Sequence, residues 1–390
     1  MDIRRHRGIA SIDPAQWNAL ADATPTPLLS WEWLAHLESS GSVTPDTGWT
    51  PSHLTITDAG ELLAAVPLYI RDTSWGEFVF DFAFAEVADR LGTGYYPKLV
   101  GMSPASPTPA FAFLVRPDRE EELIPILFEG IVDLCRREEI PVLQFNFVLP
   151  EWVDRFRDLG MGAWKHHGFE WQNEGFRTFD DYLARFRKNQ RRNIKRERRS
   201  LEEEGIDLAV IDGVDAPEGV YARMAEYYLR TNAQFGPYAA RFLSARFFTE
   251  MPRAVRRHVR FVAAYGQDDP PDDPTALSML LLRGDRLLGR YWGTREDIRD
   301  LHFNACYYAP IEWAISRGIA TFDPGMGSPH KVRRGFRSVP NWSVHRFFDP
   351  SMQAIFEANI DRINTMEEEQ IALLDAAVPY KTAAPLPDRS

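Results

Sequence analysis

The sequence predicts an α/β protein of two domains, and three observations carry that prediction. The chain has 390 residues, more than the roughly 250–300 at which a single hydrophobic core stops growing. Its composition, 44% hydrophobic and 26% charged, is that of an ordinary globular protein. Apolar strand-like runs alternate with helical periodicities in both halves, as they do in α/β domains.

In the first half the strand-like runs are Leu62 to Ile70, Phe78 to Phe84 and Phe111 to Val115. A helical pattern spans Glu120 to Glu138, and Val142 to Val148 reads as a very apolar strand. The second half repeats the order. Strands are expected at Val259 to Tyr265, Ala276 to Leu282 and Arg286 to Gly293, a helix over about Asn304 to Arg317, and a short strand end at Thr321-Phe-Asp-Pro. Two local correspondences point to a duplication: Gly60 to Ala65 with Gly284 to Gly289, and Arg137 to Phe145 with Ser316 to Phe322. Between Gly266 and Pro274 a polar, proline-broken stretch reads as a hairpin loop. From about Pro379 the chain has little to bury and reads as a disordered tail.

A net charge of −11 argues against a generic nucleic-acid binder, so an anionic partner must be met by a local patch. Cys135 and Cys306 each sit in a helical pattern and form neither a disulfide framework nor a metal site. The histidines, including adjacent His166 and His167, lack metal-ligand spacing, so no metal is expected. No apolar run is long enough to span a bilayer and no export segment is legible, so the expectation is a cytoplasmic protein without membrane insertion. There is no Walker or dinucleotide glycine motif and no serine-histidine-aspartate order. What remains is chemistry that relies on positioning, a general base and cationic stabilisation.

The local patch lies between Thr178 and Gly205, read as one helix with a capping box at Thr178 and Asp181 and a glycine stop. One face carries Phe179, Tyr182, Leu183, Phe186, Ile194 and Leu201. The others carry Arg185, Arg187, Lys188, Arg191, Arg192, Lys195, Arg196, Arg198 and Arg199, opposed only by Glu197 before the triplet Glu202 to Glu204. Charge runs are most often solvated helix faces. Here the basic density lacks interleaved acids, and the acidic triplet opposes the helix dipole. An anion-binding role follows, for a polyphosphate carrier or an RNA backbone.

A second constellation spans residues 321–337, where a strand end opens into a glycine-rich loop and a basic turn. Ligands of α/β sheets bind outside the carboxyl ends of strands, and glycines let them approach the backbone. Asp323, His330, Lys331 and Arg334 are the polar groups such a loop offers. Upstream, Glu312 lies in an apolar helix, where either an ion pair with an arginine or a catalytic role would account for it. His302 and Asn304 stand at the start of that helix and equally read as caps.

Taken together, six ordered segments resemble the FemAB-like family of tandem acetyltransferase-fold proteins. They are Gly48 to Leu54, Trp75 to Asp81, Tyr95 to Leu99, Phe169 to Asn173, Arg191 to Arg198 and His330 to Phe336. The resemblance covers nearly the whole chain. It implies two GNAT-like domains with mixed central sheets and flanking helices, at residues 1–175 and 206–378, with a basic linking helix at 176–205 and the tail at 379–390. It also implies kinship with Fem transferases, which move an amino acid from aminoacyl-tRNA onto a cell-wall precursor peptide. A lysine of a Phe-Lys-x-x-Phe-Gly-like segment helps bind that precursor, and Lys331 is the similar position. Where family members commonly carry Gly-Ala-Gln-Gly-Glu-His-Lys, this chain has Gly325-Met-Gly-Ser-Pro-His-Lys331. An acid is thus replaced by Pro329, and its task falls to Asp323, Glu312 or water.

The sequence-level expectation is an N-acyltransferase acting on an amine acceptor. Lys331, Asp323, Glu312 and His330 are the catalytic candidates, and Arg191, Arg192, Lys195, Arg196 and Arg334 the donor-binding ones. Tyr95, Tyr96, Lys98, Trp171 and Asn173 are the substrate-binding candidates. No cofactor is expected to be tightly bound. Aminoacyl-tRNA is the preferred co-substrate, since the basic cluster exceeds what the phosphates of coenzyme A require. Acyl-CoA is the alternative donor, although no Arg-x-x-Gly-x-Gly loop is present, and a non-catalytic RNA- or precursor-binding protein is the rival from another class.

Overall fold

A computed structural model describes residues 1–234, 236, 241–327 and 329–381. The chain forms two compact units. Unit 1 comprises residues 1–166, 240–255 and 340–368; unit 2 comprises residues 167–239, 256–339 and 369–390. The chain therefore enters and leaves each unit more than once, where the sequence suggested a single linking helix.

The strands, in chain order, are β1 (Asp2–His6), β2 (Thr50–Pro51), β3 (His53–Asp58), β4 (Glu61–Val66), β5 (Leu68–Arg71), β6 (Lys98–Gly101), β7 (Leu114–Val115) and β8 (Val142–Phe145). They continue with β9 (Gly162–Gln172), β10 (Asp207–Asp212), β11 (Val259–Tyr265), β12 (Ala276–Arg283), β13 (Arg286–Thr294), β14 (Thr321–Asp323) and β15 (Arg337–Phe347). In unit 1, β1-β3-β4-β7 form an antiparallel sheet, and β15-β8-β6-β5-β2 run in a second, mixed one. Helix Glu120–Arg137 packs on β3, β4 and β7 through Leu123, Leu127, Ile131 and Leu134, which recur at helical spacing.

Unit 2 carries the order β10-β11-β12-β13-β14-β9. Helix Glu218–Ala233 packs on β12 and β13. It approaches so closely that a Cβ on Gly293 would lie 2.4 Å from the Tyr227 carbonyl oxygen, which requires glycine there. In each unit a helix leads into a parallel strand pair: β6 with β8 after helix Glu120–Arg137, and β13 with β14 after helix Ala309–Ser316. The correspondence of Gly60 with Gly284 falls on the turns of the β3-β4 and β12-β13 hairpins, and both glycines have positive φ.

Four sequence-based expectations change. Residues Phe78 to Phe84 are not a strand: helix Phe82–Leu91 begins there, and Phe80 and Phe82 are exposed, so the apolar run reflects composition rather than burial. The helix expected over Asn304 to Arg317 opens with a π-helical turn at Asn304–Tyr308 before Ala309–Ser316. The basic helix is two helices, Phe179–Arg185 and Lys188–Glu203. Phe186 breaks it, because its fully buried ring packs on Tyr380 and the two residues form a β-bridge, with the Arg187 N–H donating to the Pro379 carbonyl at 2.9 Å. Pro379 to Lys381 thus belong to unit 2 rather than to a disordered tail, and residues 382–390 lie outside the described residues.

Phe186→Ala is expected to destabilise the protein by about 3–5 kcal/mol, the usual cost of deleting a buried aromatic side chain. Denaturant unfolding checks this.

Candidate functional site

In unit 2 the sequence-derived residues converge at the carboxyl end of β14. β13 and β14 pair in parallel over only three positions, Arg286 with Thr321 to Leu288 with Asp323. Beyond them β13 continues while the chain leaves β14 through the glycine loop. On its other side β13 pairs with β12 through a bulge, with Leu280 opposite Gly289 and Met279 opposite Tyr291. Arg290 is the extra residue. Bulges re-aim side chains, and Arg290 is turned to Asp323, with Nη2 3.5 Å from Oδ2 and a side chain almost fully buried. The other Asp323 oxygen accepts the Gly325 N–H at 2.7 Å. Gly325 has φ of 81°, and a Cβ there would stand 3.1 Å from the Gly289 carbonyl oxygen, so the loop crosses β13 with no room for a side chain.

Lys331 lies beneath this loop. Its ammonium donates to the carbonyls of Gly325 and Met326 at 2.5 and 2.6 Å. Burial pulls the amine down to about 8; the Asp323 charge opposes that shift and Arg290 reinforces it. His330, its neighbour, is exposed.

Arg334 is held inside the unit. Its guanidinium lies 3.4 Å from the Phe303 ring centroid, donates to the His330 carbonyl at 2.9 Å and pairs with the Glu197 carboxylate at 2.9 Å. The same Glu197 oxygen accepts the Tyr308 hydroxyl, and the Glu197 carbonyl accepts Asn304 Nδ2 at 2.7 Å. Tyr182 donates to the Arg334 carbonyl at 2.6 Å. Arg334 therefore ties the glycine loop to helix Lys188–Glu203, and its charge is already neutralised by Glu197. The sequence counted Glu197 only as a minor counter-charge. Its position between Ile194 and Leu201 on the buried face was the signal available.

Of the remaining donor-binding candidates, Arg192, Lys195 and Arg196 are exposed and Arg191 is half-buried. Arg191, Arg192 and Arg196 form no ion pair among the described residues, and Lys195 only reaches Asp180 at 4.0 Å. A hollow of about 450 Å³ beside them is lined by Lys195, Arg198, Arg199 and Glu312 among others. Glu312 sits on the rim, ion-paired to Arg198 at 2.6 Å, which is the structural alternative weighed for it. The His302 ring packs edge-on against Trp292 and Tyr307 although the residue as a whole stays exposed, and desolvation of the ring, with the Arg334 and Lys331 charges beside it, pulls its pKa down to about 4.

The substrate-binding candidates separate. Trp171 is a core residue of unit 2, and Asn173 caps a turn there by accepting the Phe176 N–H at 2.8 Å. Tyr95, Tyr96 and Lys98 belong to unit 1, where Lys98 is wholly buried rather than open to a cleft. Its ammonium lies 2.8 Å from Glu77 and 2.6 Å from Asp81, both fully buried, and Tyr95 donates to Asp81 at 2.7 Å. Arg71, stacked on Trp49, adds a second cation at 3.3 Å from Glu77. Burial raises Glu77, against the opposing pull of Lys98; at Asp81 burial pushes the same way but is outweighed by Lys98, Ser74 and Tyr95, leaving it lowered. The sequence missed Arg71, Glu77 and Asp81 as partners, although the last two stand in the quoted segment Trp75 to Asp81.

No group of three or more histidine, cysteine or acidic side chains among the described residues could hold a metal, and none of the helices they form is long and apolar enough to cross a membrane.

Residues 8–382 match the model of a family described as peptidoglycan biosynthesis/recognition. The chain belongs to the FemAB-like family. No curated protein matches the sequence significantly. Among solved structures, FemX is 12% identical with a TM-score of 0.55, over 92% of this FemAB-like chain and 99% of its own. L-PGS from Bacillus licheniformis is 10% identical with a TM-score of 0.51, over 95% and 98%. The C-terminal domain of a protein named as a lysylphosphatidylglycerol synthetase from Agrobacterium fabrum is 11% identical with a TM-score of 0.54, over 90% and 97%. At these identities the likeness is one of fold, and the FemAB-like chain has the tandem GNAT fold.

Two outcomes are expected. Lys98→Ala leaves Glu77 and Asp81 buried without their shared cation and is expected to cost about 3–5 kcal/mol in denaturant unfolding. For Lys331 the folded value of about 8 lies below the ordinary 10.5, so between these pH values the unfolded chain binds more protons at this group. Its contribution to stability rises with pH across that window. The stability of the unsubstituted protein minus that of Lys331→Met is expected to increase from about pH 8 to pH 10.

Proposed function

We propose that this protein is an N-acyltransferase that moves an aminoacyl group from aminoacyl-tRNA to an amine. The observation that carries this reading is the exposed face of helix Lys188–Glu203, whose Arg191, Arg192 and Arg196 lack ion-pair partners among the described residues. On a chain of net charge −11, a run of cations left without acids is the pattern that an external polyanion would neutralise. Glu197 couples this helix to the glycine loop through Arg334, which ties the element carrying the proposed donor surface to the one carrying Lys331.

In this reading Lys331 stabilises the negative charge that develops on the acyl oxygen. Two of its three N–H groups are fixed by the Gly325 and Met326 carbonyls, which orients the third without reorganisation during the reaction. Asp323, locked by Arg290 and the Gly325 N–H, positions the loop. Family membership and the fold shared with FemX support a transferase; the acceptor amine is left to experiment.

Binding to uncharged tRNA tests the donor. With five or six phosphates neutralised, the logarithm of the association constant is expected to fall with the logarithm of salt concentration at a slope of roughly −4, since each contact contributes about −0.7 on single strands. The double variant Arg192→Ala/Arg196→Ala is expected to bind more weakly and to lower the slope by about 1.4. Salt-insensitive binding, or turnover of acetyl-CoA in the absence of RNA, would replace aminoacyl-tRNA with an acyl-CoA donor.

A further inference from the structure

β9 brings a second carboxylate to the same site. The ladder between β14 and β9 pairs Thr321 with Gln172 and Phe322 with Trp171. Continuing that antiparallel register by one residue beyond its last pair brings Glu170 toward Asp323 on one face of the sheet, and the Asp323 charge acts on Glu170. Like charges placed opposite each other destabilise a sheet, so a carboxylate pair there needs cations beside it. The cations are present: Arg286 and Arg290 on β13 and Lys331 under the glycine loop.

The two acids are not equivalent. Asp323 is buried and tethered by Arg290 and by a backbone N–H. Glu170 is only half-buried, and its one described hydrogen bond comes from Gln172 Nε2 at 3.2 Å. Burial raises the Glu170 carboxyl above the ordinary range and Asp323 adds to that, while Gln172 and Arg286 pull it back. A carboxylate that is half-buried, loosely held and raised by its surroundings is the one of such a pair suited to exchange protons, and here that is Glu170.

We propose that Glu170 is the general base of the acyl transfer, with Asp323 as the positioning residue that sets its basicity. The inference rests on the acyltransferase reading above. As the amine nitrogen attacks the ester carbonyl, the N–C bond forms and the C–O bond to the donor breaks. Glu170 takes the proton from nitrogen and returns it to the leaving oxygen, so the carboxylate is regenerated and the products are an amide and the donor alcohol.

The test is steady-state transfer from bulk tRNA charged with radiolabelled amino acids to a lysine-containing muramyl peptide, followed against pH. Glu170→Gln, which keeps size and hydrogen bonding, is expected to lower kcat by at least about 100-fold, in line with the loss of a general base. KM should stay within about twofold, and the acid limb of the pH profile should vanish. Asp323→Asn removes the like charge, and its residual activity is expected to show the acid limb displaced to lower pH; a purely structural role would leave that limb in place. Transfer by the unsubstituted protein that Glu170→Gln leaves undiminished overturns this proposal alone. No transfer by the unsubstituted protein overturns it together with the acyltransferase reading.

Discussion

The carboxylate of Glu197 is the contact on which the architecture of unit 2 turns. One oxygen receives both the Arg334 guanidinium and the Tyr308 hydroxyl, so a single acid joins the basic helix, the π-helical turn and the basic turn after the glycine loop. An arginine buried among Phe303, Tyr307 and Tyr308 would be costly without an anion, and Glu197 is the only acid within the basic stretch from Arg185 to Arg199. That stretch can therefore present unpaired arginines outward because its one acid is spent inward. The same link holds the loop that covers Lys331 and ends at Asp323.

Unit 1 solves a similar problem in its interior. Lys98 and Arg71 face Glu77 and Asp81 in an interior with almost no water contact. Two cations and two anions balance, and Gln144 donates to Glu77 at 2.7 Å to satisfy a further lone pair. Such a network adds little net stability over an apolar core but is intolerant of losing a member. It fixes the loop between β5 and helix Phe82–Leu91 to the parallel pair β6-β8, the counterpart in this unit of the β13-β14 pair that carries the glycine loop in the other.

The strands of the second half, the helix Glu120–Arg137 and the capping box at Thr178 were legible because periodicity and capping chemistry are local. The loop after β14 was legible for the same reason, as glycines following a strand end announce a close backbone approach. Other segments were misread. Phe78 to Phe84 is apolar yet largely exposed or irregular, Phe186 interrupts a helix because of a partner almost two hundred positions away at Tyr380, and Lys98 is a buried ion rather than a cleft residue. At Phe186 and Lys98 a distant contact overrides the local pattern, and one sequence carries no record of it.

What the sequence by itself determined is the α/β class, the glycine-rich loop after a strand end and the uncompensated basic stretch, which follow from periodicity, turn chemistry and charge counted along the chain, and the resemblance of six ordered segments to the FemAB-like family. Only the tertiary structure decided which charges are free and which are consumed. Arg334 and Glu312 are neutralised by partners 137 and 114 positions away, whereas Arg192 and Arg196 are not. It also decided that Glu170 stands beside Asp323, because strand register is set by the packing of Trp171 and Phe322 in the core and not by any spacing that a linear reading could count.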